Sequence, residues 1–132
     1  MVREPISIAA ATPHDVPAIL GFIRKLAEYE HLSHLVVATE QALHEHLFGA
    51  DRAAEVLIGR LGDKPVGFAL FFRTFSTFLG RPGIWLEDLF VLPDRNMDPG
   101  SPGMFQYIVQ LLLYDAEDGH FQIGRASCRE RV

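Results

Sequence analysis

Two adjacent carboxylates, Glu87 and Asp88, sit inside the otherwise apolar run Ile84-Trp85-Leu86-Glu87-Asp88-Leu89-Phe90-Val91-Leu92-Pro93. A carboxylate buried alone is costly, so one in such a setting neutralises, pairs, or acts as a general base or cation site beside a cleft. The run ends at a proline and has the composition of a strand, in which successive side chains alternate between faces. Alternation puts Trp85, Glu87, Leu89 and Val91 on one side and Ile84, Leu86, Asp88 and Phe90 on the other, so each face is expected to carry one acid. Taken alone, the pair reads more often as a strand edge with one acid in solvent than as a reactive centre.

Other residues invite chemistry and carry less of it. His31, His34, His44 and His46 have loose H-x-x-H and H-x-H spacings with no cysteine nearby, so surface and helix-end histidines account for them better than a metal site, and no metal is expected. Phe68, Leu70, Phe71, Phe72, Phe75 and Phe78 form an aromatic-rich stripe whose surroundings are too poor in Lys and Arg for base stacking, and it reads as core. Arg81 lies in Leu79-Gly80-Arg81-Pro82-Gly83 and reads as a solvated turn residue rather than a phosphate ligand. The single cysteine, Cys128, excludes an internal disulfide framework.

Elements that position the acids follow from periodicity. Ile6 to Ala10 reads as a first strand, and Thr12-Pro13-His14-Asp15 opens a helix with a capping hydroxyl, an early proline and an acid at the positive end; with Pro17 following, Asp15 is an alternative cap. Val16, Ile19, Leu20, Ile23, Leu26 and Ala27 recur at helical spacing to about Glu30. Thr39 caps a second helix with Ala42, Leu43, Leu47 and Phe48 inward, and Gly49 is expected to end it in a left-handed conformation. The period then switches to strands: Ala54 to Leu61, a turn at Gly62-Asp63-Lys64-Pro65, Val66 to Phe75, a loop from Ser76 to Gly83, and the Ile84 run. Asp94 to Gly103 is rich in Pro and Gly, Met104 to Asp118 has helical spacing, and a strand is allowed from His120. At 132 residues, 48% hydrophobic and 22% charged, this suits one domain. A formal charge of −5 argues against nonspecific nucleic-acid binding and leans towards cationic small molecules. No apolar run reaches the roughly 20 residues of a membrane span, and no signal-peptide pattern opens the chain, which leaves a cytoplasmic location and no membrane partner as the default expectation.

The order β-α-α-β-β-β-α, together with Ile23-Arg24-Lys25-Leu26-Ala27-Glu28-Tyr29-Glu30, Pro65-Val66-Gly67-Phe68-Ala69-Leu70-Phe71-Phe72 and Trp85-Leu86-Glu87-Asp88-Leu89-Phe90-Val91-Leu92-Pro93, resembles the GCN5-related N-acetyltransferases, more narrowly their diamine (spermidine/spermine) and thialysine branch. The resemblance covers about Ile6 to Pro93. It implies an α/β acyl-CoA N-acyltransferase fold, a mixed and mainly antiparallel sheet flanked by helices. It also implies acetyl transfer from acetyl-CoA to a primary amine of a polyamine or lysine-like small molecule. By the same resemblance the main chain of Leu89, Phe90 and Val91 contacts acetyl-CoA. Glu87 binds or deprotonates the amine, Tyr29 and Glu30 line the polyamine end, and Asp88 adds negative potential. Members are often dimers, so a homodimer is expected.

The next family motif, a glycine-rich turn whose amides hold the CoA pyrophosphate, corresponds here to Arg95-Asn96-Met97-Asp98-Pro99-Gly100-Ser101-Pro102-Gly103. Arg95, Gly100 and Gly103 are its candidate cofactor contacts, but Pro99 and Pro102 each lack an N–H and Asp98 adds negative charge. Residues 1–122 thus read as a partial acetyltransferase domain, incomplete at the C-terminus. Ile123 to Val132, aperiodic and arginine-rich, resembles a translated sequencing adapter and is expected to be a non-native tail. A weakly active or inactive fragment is the expectation, and the alternative is a noncatalytic acyl-CoA-binding or protein-interaction domain.

Overall fold

The helical layer starts where Thr12 and Asp15 meet. The Thr12 amide donates to Asp15 Oδ2 at 2.8 Å across a 3₁₀ turn, Pro13–Asp15, and the helix α1 then runs Val16–Tyr29 with Asp15 at its cap position. Thr12 and Asp15 act together at the turn, whereas Asp15, at the cap position of α1, makes no side-chain hydrogen bond to that helix; Pro17 falls in the first turn, where a missing N–H has no intrahelical acceptor to lose. The computed structural model describes residues 6–92 and 121–123. The helix expected over Met104 to Asp118, the candidate contacts Arg95, Gly100 and Gly103, and Gly124 to Val132 of the expected tail lie outside the described residues, while the tail's first residue, Ile123, is described.

At its far end α1 is stopped by His31, which adopts φ 61°, while the Leu32 amide donates to the Ala27 carbonyl at 2.8 Å. The second helix, α2 (Glu40–Phe48), begins as expected, with Thr39 Oγ1 accepting from the Ala42 amide at 3.1 Å. Its end corrects the sequence reading. Gly49 has φ −79°, not a left-handed value, and is needed because a Cβ there would stand 2.3 Å from the Glu45 carbonyl oxygen.

Five strands form one sheet in chain order: β1 (Ile6–Ala10), β2 (Glu55–Leu61), β3 (Lys64–Ser76), β4 (Arg81–Val91) and β5 (Phe121–Ile123). The first four pair antiparallel and β5 joins β4 parallel, so the sheet is mixed and mainly antiparallel. The turns are tighter than expected. Gly62, at φ 63°, and Asp63 alone connect β2 to β3, so Lys64 and Pro65 already belong to the strand. Pro65 is accommodated where the register shifts beside Arg60, a bulge at which a missing ladder donor is tolerated. β3 and β4 likewise extend to Ser76 and Arg81, closed by a turn in which the Gly80 amide donates to the Ser76 carbonyl at 2.8 Å.

α1 and α2 cover one face of this sheet. Ile19, Phe22 and Leu26 of α1 and Leu47 of α2 bury against Val56, Ile58, Phe68 and Phe90, with the Phe22 and Phe68 rings stacked at 5.7 Å. Val66, Ala69, Phe71, Ile84, Leu86, Leu89 and Val91 form a second buried cluster on the opposite face. No described helix is long and apolar enough to cross a membrane.

Candidate functional site

The acid-bearing strand does not alternate as a regular strand does. Asp88 stands opposite Leu70, yet the next residue of β3, Phe71, stands opposite Leu86, so Glu87 is an extra residue in β4. The slip changes the phase of the strand. Ile84 and Leu86 before it share a buried cluster with Leu89 and Val91 after it, while Phe90 joins the cluster under α1.

This overturns the expectation of one acid per face. Asp88 faces its cross-strand partner Leu70, which packs against the helix-side cluster. Two residues along β3, Phe72 stands opposite Trp85 and the two rings stack at 6.3 Å. The indole Nε1–H of Trp85 in turn donates to Glu87 Oε2 at 2.8 Å, which brings Glu87 to the same side. Both carboxylates are therefore on the helix side of the sheet, half-buried, on consecutive residues of a bulge. A regular strand would have sent one of them into the opposite core.

The bulge is also where the sheet opens. Leu92 donates its amide to the Val66 carbonyl at 2.7 Å, so it faces β3, and by the alternation of backbone groups Phe90 does as well. The N–H and C=O groups of Leu89 and Val91 consequently point to the opposite edge of β4. On that edge β5 pairs only with Ile84, Trp85 and Leu86, and no described strand continues the pairing. A strand edge with inward-anchored side chains and outward amides is a fixed row of hydrogen-bond donors. Such donors can hold an extended amide-bearing chain or a developing negative oxygen.

Tyr29 and Glu30 lie at the C-terminal end of α1, Tyr29 39% exposed and Glu30 half-buried. The packing of α1 puts them on the same side of the sheet as Glu87 and Asp88. Arg81 is exposed at the start of β4, opposite Ser76. His31, His34, His44 and His46 are all exposed, and among the described residues no group of metal-ligating side chains is arranged to hold an ion. The aromatic stripe divides: Phe68 and Phe71 are core as expected, but Phe75 and Phe78 are 66% and 99% exposed at the β3–β4 tip, because the hairpin runs on past the end of β2.

Sequence reasoning missed three features. The bulge was visible in the spacing of the apolar residues, since 84 and 86 against 89 and 91 are out of step by one. Trp85 and Phe72 could be found only once the register was known. The ion pair between Asp15 and Arg60 joins positions far apart in the chain and left no local signal.

No protein-family model matches the chain. Among curated proteins, it is 36% identical over 105 residues to a thialysine N-epsilon-acetyltransferase of Bos taurus, covering 73% of this chain and 61% of that one. The Mus musculus protein of the same name is 35% identical over 94 residues, 65% of this chain and 55% of the relative. An L-ornithine N5-acetyltransferase of Arabidopsis thaliana is 27% identical over 129 residues. The matched part thus spans little more than half of these relatives' own length. Among solved structures, a possible acetyltransferase from Clostridium difficile superposes with TM-score 0.68 at 16% identity, covering 98% of this chain and 84% of that one. A ribosomal-protein-alanine N-acetyltransferase from Brucella melitensis gives 0.67 at 19%, covering 96% and 82%. At these identities the structures speak for the fold.

Proposed function

The chain belongs to the GCN5-related N-acetyltransferases, in the branch of the diamine and thialysine enzymes, and from that membership we propose that it transfers acetyl from acetyl-CoA to a primary amine of a polyamine or lysine-like small molecule. The observation that carries this reading is the opening of the sheet at the Glu87 bulge. It sets the outward amides of Leu89 and Val91 beside a carboxylate on the helix side of the same strand.

Acetyl-CoA supplies an activated acyl carbon held as a thioester. The amine nitrogen bonds to that carbon, the carbon–sulfur bond breaks, and the sulfur leaves with its electron pair to be protonated from solvent. Glu87 takes the proton that the amine must lose, directly or through one water, and passes it to solvent. An outward amide of β4 donates to the oxygen on which charge develops, and because it is fixed by the β3 ladder it needs no reorganisation in the reaction. The Leu89 to Val91 main chain holds the pantetheine arm. Tyr29, Glu30 and Asp88 attract the distal ammonium groups. Arg95, Gly100 and Gly103 are the candidate pyrophosphate contacts, and turnover is slow because Pro99 and Pro102 bring no amide to that turn and Asp98 opposes the phosphates.

The reading extends to a homodimer working in the cytoplasm on a free small amine. Thiol release from acetyl-CoA, with and without a diamine such as spermidine, tests it: release that requires the amine supports transfer. The sequence of the 95–103 segment favours one second reading, a noncatalytic acyl-CoA-binding domain. Saturable CoA binding with no amine-dependent release selects that alternative.

A further inference from the structure

Trp85 was not among the residues whose chemistry the sequence suggested, yet it makes a direct contact with the Glu87 carboxylate. Its indole N–H donates to Glu87 Oε2 at 2.8 Å, a hydrogen bond to an ionisable acceptor and hence among the stronger kinds. The contact matters more at a bulge than it would in a regular strand. Glu87 is the extra residue of the bulge, and the bond from the indole gives its carboxylate a fixed direction there. The indole is itself fixed, stacked on Phe72 at 6.3 Å with 26° between the ring planes, and Phe72 is held by its place in the β3–β4 ladder. A chain of orientation therefore runs from the sheet through Phe72 and Trp85 to the carboxylate.

The same three side chains make an environment of definite chemical preference. An indole face is the strongest π-surface for a cation among the protein aromatics, and a carboxylate lies against its edge. Both are half-buried rather than sealed, on the face of the sheet that carries Asp88 and the end of α1. A protonated primary alkylamine meets both demands, with the ammonium charge at the carboxylate and its methylenes over the ring.

We propose that Trp85, braced by Phe72, is a positioning and specificity-determining residue for the acceptor amine: its N–H fixes Glu87 for proton removal, and its ring selects an alkylammonium. This rests on the proposed acetyl transfer to a primary amine and deepens it. The two roles separate by substitution. Trp85→Phe keeps a ring and removes the N–H, so kcat falls about tenfold, the size expected for losing one hydrogen bond to a charged group, while the amine KM changes less than threefold. Trp85→Leu removes the ring as well, and the amine KM rises several-fold on top of that loss. A merely structural tryptophan would lower the melting temperature in both variants without dividing kcat from KM in this way.

Trp85 is the only tryptophan in the chain, so its indole resonance and fluorescence report this residue alone. Titrating the intact protein with spermidine, without acetyl-CoA, is expected to give a saturable shift of the indole N–H resonance that Glu87→Ala weakens at least fivefold. This readout needs no turnover, which keeps it separate from the reaction itself. If acetyl transfer is absent but the indole shift saturates, the transfer reading fails and the subsite stands. An unmoved indole at saturating amine overturns the subsite, as does amine-dependent transfer with wild-type kcat and KM in both Trp85 variants.

Discussion

Arg60 of β2 pairs through Nη2 with Oδ1 of Asp15, the residue at the cap of α1, so one ion pair ties the first helix to the second strand. Asp15 is 8% exposed, and its other carboxylate oxygen accepts from the Thr12 amide at 2.8 Å. The carboxylate thus closes the 3₁₀ turn with one oxygen and docks it on the sheet with the other.

Removing that carboxylate leaves a partly buried guanidinium without this partner and the turn without its acceptor. Asp15→Ala is expected to lower unfolding free energy by about 2 kcal/mol, between the cost of a lost cap and that of a broken buried pair. Urea unfolding measures it, and a double-mutant cycle with Arg60→Met apportions it. A loss below about 0.5 kcal/mol would show that the pair is only a surface contact.

Gly49 answers to sterics rather than to backbone hand. Because a Cβ would meet the Glu45 carbonyl oxygen at 2.3 Å, Gly49→Ala must shift the last turn of α2, at a cost of about 1–3 kcal/mol. Were the glycine needed only for conformational freedom, alanine at its φ of −79° would be neutral or slightly stabilising. Thermal unfolding of the single variant separates the two.

The aromatic stripe offers an internal control. Phe68→Ala opens a hole between α1 and the sheet and is expected to cost about 3–5 kcal/mol. Phe75→Ser and Phe78→Ser at the exposed hairpin tip should stay within about 0.5 kcal/mol of the parent. Equal losses at the two ends of the stripe would mean that the tip is buried in solution.

Backbone direction along β4 gives a paired test of the open edge. Val91→Pro deletes an amide facing away from β3, so the fold should persist while affinity for CoA, measured by calorimetry, drops about tenfold. Phe90→Pro deletes an amide facing β3 and should destabilise the sheet by about 3 kcal/mol or more. If Val91→Pro binds CoA as the parent does, that amide is not a cofactor contact.

How far the sequence reached follows from the range of each cause. Caps, helix faces and the β2–β3 hairpin are local, and Thr39, Asp15 and Gly62 announced them. The two acids were legible as unusual, but their shared face was not, because strict alternation assumes a ladder without slips. The apolar spacing of Ile84, Leu86, Leu89 and Val91 held that information. Pairings such as Asp15 with Arg60, or the stack of Phe72 on Trp85, depend on register and on helix docking, which no short window contains. The exposure of Phe75 and Phe78 was hidden for a related reason: the ends of β2 decide how much of a longer hairpin is covered.

The central claim is that Glu87, turned to the helix side by its bulge and fixed by Trp85, removes the proton from an amine that attacks acetyl-CoA at the open edge of β4. The most direct measurement is the rate of spermidine-dependent thiol release from acetyl-CoA by the intact chain and by Glu87→Gln, which keeps size and hydrogen bonding but is no base. A slow, amine-dependent release in the parent that falls about a hundredfold in the variant is the result expected. Equal rates in the two proteins, or release indifferent to the amine, would contradict the account.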